Sequence, residues 1–214
     1  MRDGVIILHG ILRTHRSMRR LANFLEKEGF EVLNLGYPST KYSIEALAGI
    51  IHPRITAFAE SIPGKVHFVG YSMGGLVIRA YLHCYRPRNL GRIVMIGTPN
   101  QGSEVADFLQ NRKLYQMFFG AAGQQLITNQ SGFAHHFGVT DYEVGVIAGN
   151  RPVDLISSRI IGKANDGKVS IESTKLIGMK DHVIVPSSHT FFPSNLQMWR
   201  QSLAFLKYGK FEQP

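Results

Sequence analysis

The hydrophobic positions along this 214-residue chain fall into short apolar runs and longer segments with apolar residues every three or four positions. The short runs predict buried strands, and the longer segments predict helices with one packed face. The predicted strands lie at residues 5–8, 31–35, 66–70, 92–96, 143–148 and 182–185. The predicted helices lie at residues 17–28, 43–58, 73–86 and 195–207. Because strands and helices alternate, we predict a single α/β domain, residues 1–214, with about six mostly parallel strands and helices on both faces of the sheet.

Glycine and proline residues mark the ends of the predicted helices or interrupt them. Gly29 fits as the stop of the first helix, and Pro87 lies beyond the end of the third. Pro53 falls inside the second helix, where its missing backbone N–H predicts a kink or a split.

The sequence around Ser72 is the strongest chemical signal in the chain. A predicted strand runs into Gly70-Tyr71-Ser72-Met73-Gly74, and a helical pattern follows at once. A serine on such a sharp strand-to-helix turn stands clear of the sheet edge, where a base can reach and activate its hydroxyl. Gly70 and Gly74 have no Cβ, so the strand and helix backbones can approach closely. We therefore interpret Ser72 as a nucleophile.

A nucleophilic serine in this setting also needs donors for the oxyanion. The hole takes one backbone N–H from the residue after the nucleophile and another from a loop that follows a neighbouring strand. The first predicted strand ends at His9-Gly10-Ile11, so we assign the N–H groups of Met73 and Ile11. The place of His9 suits a buried imidazole that holds the loop by hydrogen bonds, and a catalytic role for it is the alternative.

The base and the acid are sought by their order along the chain, which in this architecture is nucleophile, acid, base. The base should follow the last strand, where His189 stands, whereas His182 falls at the start of that strand, far from Ser72. The acid should follow the penultimate strand, which leaves Asp154 and Asp166. We favour Asp166, because a tight turn can project its carboxylate inward. In the alternative, Asp166 makes only an Asx turn and Asp154 orients the base.

These stretches together resemble the lipase and esterase branch of the α/β-hydrolases, including the small bacterial lipases. The matching residues are His9-Gly10-Ile11, 70–77 with Arg79, Gly97-Thr98-Pro99 with Gly102-Ser103, Asn165-Asp166-Gly167, and Ser188-His189. The resemblance implies a minimal α/β-hydrolase fold and catalytic roles for Ser72, Asp166 and His189. Apart from Gly102-Ser103, residues 100–137 show no close pattern of the family, so the acyl and alcohol specificity does not carry over.

Residues 103–137 interrupt the alternation of strands and helices and are rich in large apolar side chains. In the family that the chain resembles, insertions at this place cover the active site. We therefore expect a helical cap or lid, with Phe118 and Phe119 as candidates for substrate contact. The alternative is a helical cap whose apolar residues pack only against one another.

Charge sets limits on the partners. The formal net charge is +9, and Arg13, Arg16, Arg19 and Arg20 follow the oxyanion loop closely. This cluster favours an anionic head group or weak association with an anionic membrane surface, and a solvated basic face is the alternative. Nucleic acid is not expected, because no recognised module or aromatic stacking motif accompanies the charge.

The single cysteine and the position of the first strand bear on the expected cellular compartment. Cys84 is the single cysteine, and its place in a helix predicts a small packing residue. The first strand begins within a few residues of Met1 and no long apolar span exists, so we expect a cytoplasmic protein without signal peptide or anchor.

The predicted function is that of a serine carboxylic-ester hydrolase, an esterase or lipase that cleaves small-molecule or lipid esters through an acyl-enzyme. This route requires no metal ion and no organic cofactor, and the sequence implies no obligate protein partner. Acyl transfer by the same acyl-enzyme is one alternative. A non-catalytic lipid- or protein-binding module on a hydrolase scaffold is the other.

Overall fold

Six parallel strands form the sheet at the centre of the computed structural model, which describes residues 1–128 and 139–212, apart from the side chains of residues 114–116 and 118. The strands are β1 (Gly4–Leu8), β2 (Glu31–Leu35), β3 (Val66–Tyr71), β4 (Leu90–Ile96), β5 (Val144–Gly149) and β6 (Asp181–Val185). Their order is β2-β1-β3-β4-β5-β6, and every neighbouring pair is parallel. The predicted α/β class and its six strands are therefore confirmed.

The α-helices of the described residues surround this sheet. They are α1 (Arg19–Lys27), α2 (Ile44–Ser61), α3 (Met73–Cys84), α4 (Glu104–Leu109), α5 (Lys113–Gln124), α6 (Leu155–Ile161), α7 (Ile171–Thr174) and α8 (Leu196–Tyr208). A 3-10 turn at His15–Met18 precedes α1, and a second one at His189–Ser194 precedes α8. In the part of the chain that the structure describes, no helix has the length and apolar character needed to cross a membrane.

Both faces of the sheet are covered, because successive side chains of a strand point to opposite sides. Ile6 and Leu8 of β1 pack in a core with α2 and α3. Val5 and Ile7 pack on the other side, in a core with α1 and α8. All five residues of β1 are buried, which explains why this strand is apolar throughout rather than alternating.

Two local predictions on the helices need correction. The helix α2 continues through Pro53 as one element, so the split is wrong, and the kink predicted as the other outcome stays a prediction. Ile51 and Ile55 on α2 are buried in the core beside α3, and this burial offsets the cost of a helical proline, about 3 kcal/mol. Cys84, predicted to be a packing residue, is exposed, because it is the last residue of α3 and the helix end projects from the core.

The strand order places one crevice at the carboxyl edge of the sheet. From β1 the chain moves outward to β2, then returns past β1 to β3 and continues in the opposite direction. Ligands of open α/β sheets bind at such a reversal, outside the carboxyl ends of the strands. Leu8 at the end of β1 pairs with Gly70 near the end of β3, so the loops that follow these two strands meet.

The region predicted as a cap is described only in part. The helices α4 and α5 lie within the predicted insertion, and residues 129–137 of it lie outside the described residues. Gly120 interrupts α5 with a φ of +59° and a ψ of −157°, so two helical segments meet there. That this insertion acts as a cap or lid stays a prediction.

Candidate active site

Ser72 occupies the turn between β3 and α3 with a φ of +54° and a ψ of −125°. A non-glycine residue rarely has a positive φ, and such backbone strain is characteristic of functional sites. The Ser72 N–H donates to the Ile96 carbonyl at 2.7 Å, which fixes the turn against β4. A Cβ at Gly70 would lie 2.6 Å from the Gly75 backbone, so the crossing of β3 over α3 requires glycine.

His189 lies beside Ser72 although the two residues are 117 positions apart in the chain. The imidazole Nε2 is 3.0 Å from the Ser72 Oγ, and the Nδ1 is 2.7 Å from the Asp166 Oδ2. The His189 backbone N–H also donates to the Asp166 carbonyl at 2.8 Å. The structure therefore brings the three predicted residues into one hydrogen-bonded chain, in the arrangement of nucleophile, base and orienting acid.

The Asp166 carboxylate is held from both sides. Its Oδ1 accepts the backbone N–H groups of Lys168 at 2.9 Å and Val169 at 2.8 Å, which leaves Oδ2 for the imidazole. Its side chain is only 1% exposed. The turn itself is made by Asn165, whose Oδ1 accepts the Gly167 N–H at 2.8 Å. The Asx turn expected at this place thus uses Asn165 as well as Asp166, and it aims the Asp166 carboxylate at His189.

Asp154, the alternative acid, binds elsewhere. Its side chain caps α6 by accepting the Ser157 N–H at 3.0 Å, and its Oδ2 lies 2.6 Å from the Lys168 Nζ. The hydrogen bond from Lys168 is the main reason that the pKa of Asp154 lies well below its usual range. Asp154 is therefore placed in a helix cap and an ion pair, apart from His189.

The other two histidines weighed for the site have structural surroundings. The His9 Nδ1 donates to the Gly10 carbonyl at 2.8 Å, and its ring stacks on Tyr37 with centroids 4.2 Å apart. Burial lowers the pKa of His9, so the ring is neutral near pH 7. His182 lies at the start of β6, at the sheet edge opposite Ser72, and its Nε2 is 3.1 Å from the Thr174 Oγ1.

The two predicted oxyanion donors flank Ser72. Met73 is the first residue of α3, where a helix N–H has no acceptor within the helix. Ile11 lies in the loop after β1 and lines the same pocket as Ser72. Within residues 1–128 and 139–212 its N–H has no hydrogen-bond acceptor. Leu12 follows with a φ of +57°, so this loop, like the serine turn, has a strained backbone conformation.

A pocket of about 350 Å³ opens beside Ser72. One wall is apolar and comes from the predicted cap region, with Val105, Leu109, Phe119 and Leu126. The loop after β1 and the His189 segment also line the pocket. Of the two phenylalanines predicted to contact substrate, Phe119 lines this pocket, whereas the Phe118 side chain lies outside the described part of the structure.

Two further residues shape the site and were given no role in the sequence analysis. The Tyr71 hydroxyl donates to the His189 carbonyl at 2.8 Å, and burial raises the pKa of Tyr71, so it remains a donor. Gly97 has a φ of +53°, and a Cβ there would lie 3.2 Å from the His189 Nδ1 and 3.3 Å from the Asp166 Oδ2. In the sequence, these two residues could have been found from the position of Tyr71 next to the serine and from a glycine directly after β4.

No set of three or more His, Cys, Asp and Glu side chains within residues 1–128 and 139–212 is placed to hold a metal ion. The four arginines of the predicted basic cluster are all exposed.

Comparison with known proteins shows which protein family this chain matches. The family model described as palmitoyl protein thioesterase matches residues 4–144. The lysosomal thioesterase PPT2 of Rattus norvegicus is 27% identical over 147 residues, which cover 62% of this chain and 48% of that protein. A triacylglycerol lipase of Pseudarthrobacter phenanthrenivorans is 45% identical over 47 residues, 22% of this chain and 14% of the lipase. The chain thus spans about half the length of the thioesterase and a smaller part of the lipase.

Solved structures share the fold. The mature lipase BlEst2 of Bacillus licheniformis superposes with a TM-score of 0.71 at 18% identity, over 95% of this chain and 89% of that one. Phospholipase PlaB from Legionella pneumophila superposes with a TM-score of 0.69 at 14% identity, over 88% of this chain and 53% of that one. The family match and this common fold confirm the predicted α/β-hydrolase of the lipase and esterase type.

Proposed function

The chain belongs to the palmitoyl protein thioesterase family, and from this premise we propose that it is a serine hydrolase of carboxylic esters. One observation carries the proposal. The side chains of Asp166, His189 and Ser72 form a continuous hydrogen-bonded chain that ends at a pocket with an apolar wall. Such a chain activates a serine hydroxyl, and the pocket offers an acyl group a place beside it.

The proposed reaction has two halves. Ser72 Oγ attacks the ester carbonyl while His189 Nε2 takes its proton, and the N–H groups of Ile11 and Met73 stabilise the oxyanion. His189 then gives the proton to the leaving group as the acyl-enzyme forms. Water, activated by the same imidazole, releases the acyl group. Asp166 keeps the Nδ1 proton in place and stabilises the imidazolium in both halves.

The acyl group is proposed to lie against the wall formed by the cap region. Val105, Leu109, Phe119 and Leu126 offer it an apolar surface, and each buried methylene contributes about 0.8 kcal/mol. Residues 103–137 would then act as a cap on a single domain. A lipid ester suits this wall better than a small polar ester.

Thioesters are a second candidate substrate class, favoured by the family description and by the relative named as a lysosomal thioesterase. The same serine, histidine and oxyanion donors cleave an oxygen ester or a thioester, because both pass through a tetrahedral oxyanion. The predicted cytoplasmic location stays a prediction, since that relative is named after another compartment.

A fluorophosphonate probe tests the nucleophile. Wild-type protein should be labelled at Ser72 and should hydrolyse 4-nitrophenyl butyrate. Ser72→Ala should remove the label and lower turnover, on the order of a million-fold when a triad serine is lost. Retention of hydrolysis by folded Ser72→Ala protein, checked by circular dichroism, would overturn the mechanism.

A matched pair of histidine variants tests the base. His189→Ala should remove most of the hydrolysis, whereas His182→Ala should leave kcat close to the wild-type value, because His182 lies at the opposite edge of the sheet. Equal losses in the two folded variants would contradict the assignment of His189. Transfer of the acyl group to an added alcohol in preference to water would favour an acyltransferase.

A further inference from the structure

The pocket beside Ser72 is lined by apolar residues and by a few polar ones. The cap region contributes apolar side chains, the loop after β1 contributes Arg13 next to Ile11 and Leu12, and the His189 segment contributes Thr190. An ester in this pocket has two parts, and a catalytic serine lies between them. Different residues of the pocket can therefore select the acyl part and the alcohol or thiol part separately.

His189 determines which side receives the leaving group. In the proposed reaction the imidazole gives its proton to the leaving oxygen or sulfur, so that part of the substrate must lie next to His189. The acyl part then lies toward the apolar wall of the cap region.

Arg13 lies near Tyr71, a neighbour of His189 in the pocket. The Tyr71 hydroxyl donates to the His189 carbonyl at 2.8 Å, and the positive charge of Arg13 acts on that same tyrosine, opposing the rise that burial causes in its pKa. Arg13 also lines the pocket together with Ser72 and His189. The guanidinium is therefore close to the position that the leaving group would occupy.

Arg13 also has no competing anion. Among residues 1–128 and 139–212, no carboxylate forms an ion pair with Arg13. The second cation that lines the pocket, Lys168, differs in this respect, because its Nζ is 2.6 Å from the Asp154 carboxylate. Arg16, Arg19 and Arg20 add positive charge along the following turn and helix. The field around Arg13 thus favours an anion.

We infer that Arg13 binds an anionic group, a carboxylate or a phosphate, on the alcohol or thiol part of the substrate, so that the protein prefers acyl esters with an anionic leaving group. This inference rests on the proposed hydrolase function. Arginine is suited to the role, because its planar guanidinium forms two parallel hydrogen bonds with a carboxylate or phosphate. The anion is part of a single substrate molecule, whether that molecule is soluble or a lipid.

A pair of chromogenic esters with the same acyl chain measures this preference. The anionic ester is 3-octanoyloxy-4-nitrobenzoate, and the neutral ester is 2-nitrophenyl octanoate, both used as monomers below the concentration at which they form micelles. Wild-type protein should have the higher kcat/KM on the anionic ester. Arg13→Gln should lower the ratio of the two kcat/KM values about five-fold, mainly through the KM for the anionic ester. Arg13→Glu should reverse the preference.

Arg20→Gln is the matched control, since it removes the same charge from an exposed site on α1 and should leave the ratio near the wild-type value. An equal ratio in wild type and Arg13→Gln, with both esters still cleaved, would overturn the role of Arg13 and leave the hydrolase standing. Absence of cleavage of either ester would overturn the hydrolase itself. A preference that appears only with substrate in anionic vesicles, and not with monomers, would assign the charge to a membrane surface and also overturn the inference.

Discussion

Asp166→Asn should abolish most of the activity because the structure dictates which way the new amide points. The Asp166 Oδ1 accepts two backbone N–H groups, from Lys168 at 2.9 Å and from Val169 at 2.8 Å. The asparagine oxygen must take this place. An NH₂ group there would point at the two backbone N–H donors, and each donor left without an acceptor would cost about 1–3 kcal/mol of stability. The asparagine NH₂ then takes the place of Oδ2, which is 2.7 Å from the His189 Nδ1.

The asparagine NH₂ group donates where the carboxylate oxygen accepted, and this determines the tautomer of the imidazole. With an NH₂ group before it, the His189 Nδ1 must accept, so the ring proton moves to Nε2, the atom that is 3.0 Å from the Ser72 Oγ. A protonated Nε2 cannot take the serine proton. The same exchange in a serine protease triad costs about 10⁴-fold in kcat, which is about 5.5 kcal/mol of transition-state stabilisation. We expect a loss of that order, with the fold intact because the two backbone bonds to Oδ1 are kept.

Asp154→Asn is the matched control. Asparagine caps a helix about as well as aspartate, and the ion pair that is lost is partly exposed, so the stability should change by no more than about 1 kcal/mol. Turnover of 4-nitrophenyl butyrate near neutral pH measures the activity, and circular dichroism checks that both variants fold. If Asp154→Asn lost more activity than Asp166→Asn, or if Asp166→Asn kept more than about a tenth of kcat, the reasoning from the tautomer would be refuted.

Three further outcomes are expected. Phe119→Ala should lower kcat/KM for an octanoate ester more than for the acetate ester, since each methylene that loses its contact forfeits about 0.8 kcal/mol, and parallel chain-length profiles would argue for a packing role instead. Gly75→Ala should lower the free energy of unfolding by about 1–3 kcal/mol in a denaturant titration, because the new Cβ would lie 2.7 Å from the Thr98 Cγ2, and an unchanged midpoint would show that α3 has room against the loop after β4. Burial lowers the pKa of both His9 and His67 below the unfolded value, so the unfolded chain binds more protons and the free energy of unfolding should fall as the pH drops below about 6.5. The free energy of unfolding should change by about 1.4 kcal/mol per pH unit for each histidine that takes up a proton on unfolding. A stability that stayed level between about pH 7.5 and about pH 5.5 would contradict this.

The sequence by itself determined the strands, the main helices and the serine turn. These features depend on residues near in the chain, since an apolar run predicts a buried strand wherever that strand lies in the sheet. The same holds for Ser72, whose motif, strand and helix fall within one short stretch. Local pattern misjudged Cys84, because the end of α3 leaves the cysteine exposed, and of the kink or split predicted at Pro53 it misjudged the split, because packing against α3 keeps α2 as one helix.

Contacts between distant residues were decided only by the tertiary structure. The sequence left Asp154 and Asp166 as alternative acids, and the path of the chain after β5 placed Asp166 against His189 and Asp154 against Lys168. No local pattern encodes this choice, since the distance between two side chains far apart in the chain depends on strand order, register and loop path together. The position of Arg13 was decided in the same way, because only the fold brings the loops after β1 and β6 to one pocket, which Arg13 and His189 both line. The chemistry of each residue was present in the sequence, and the fold determined which residues share one site.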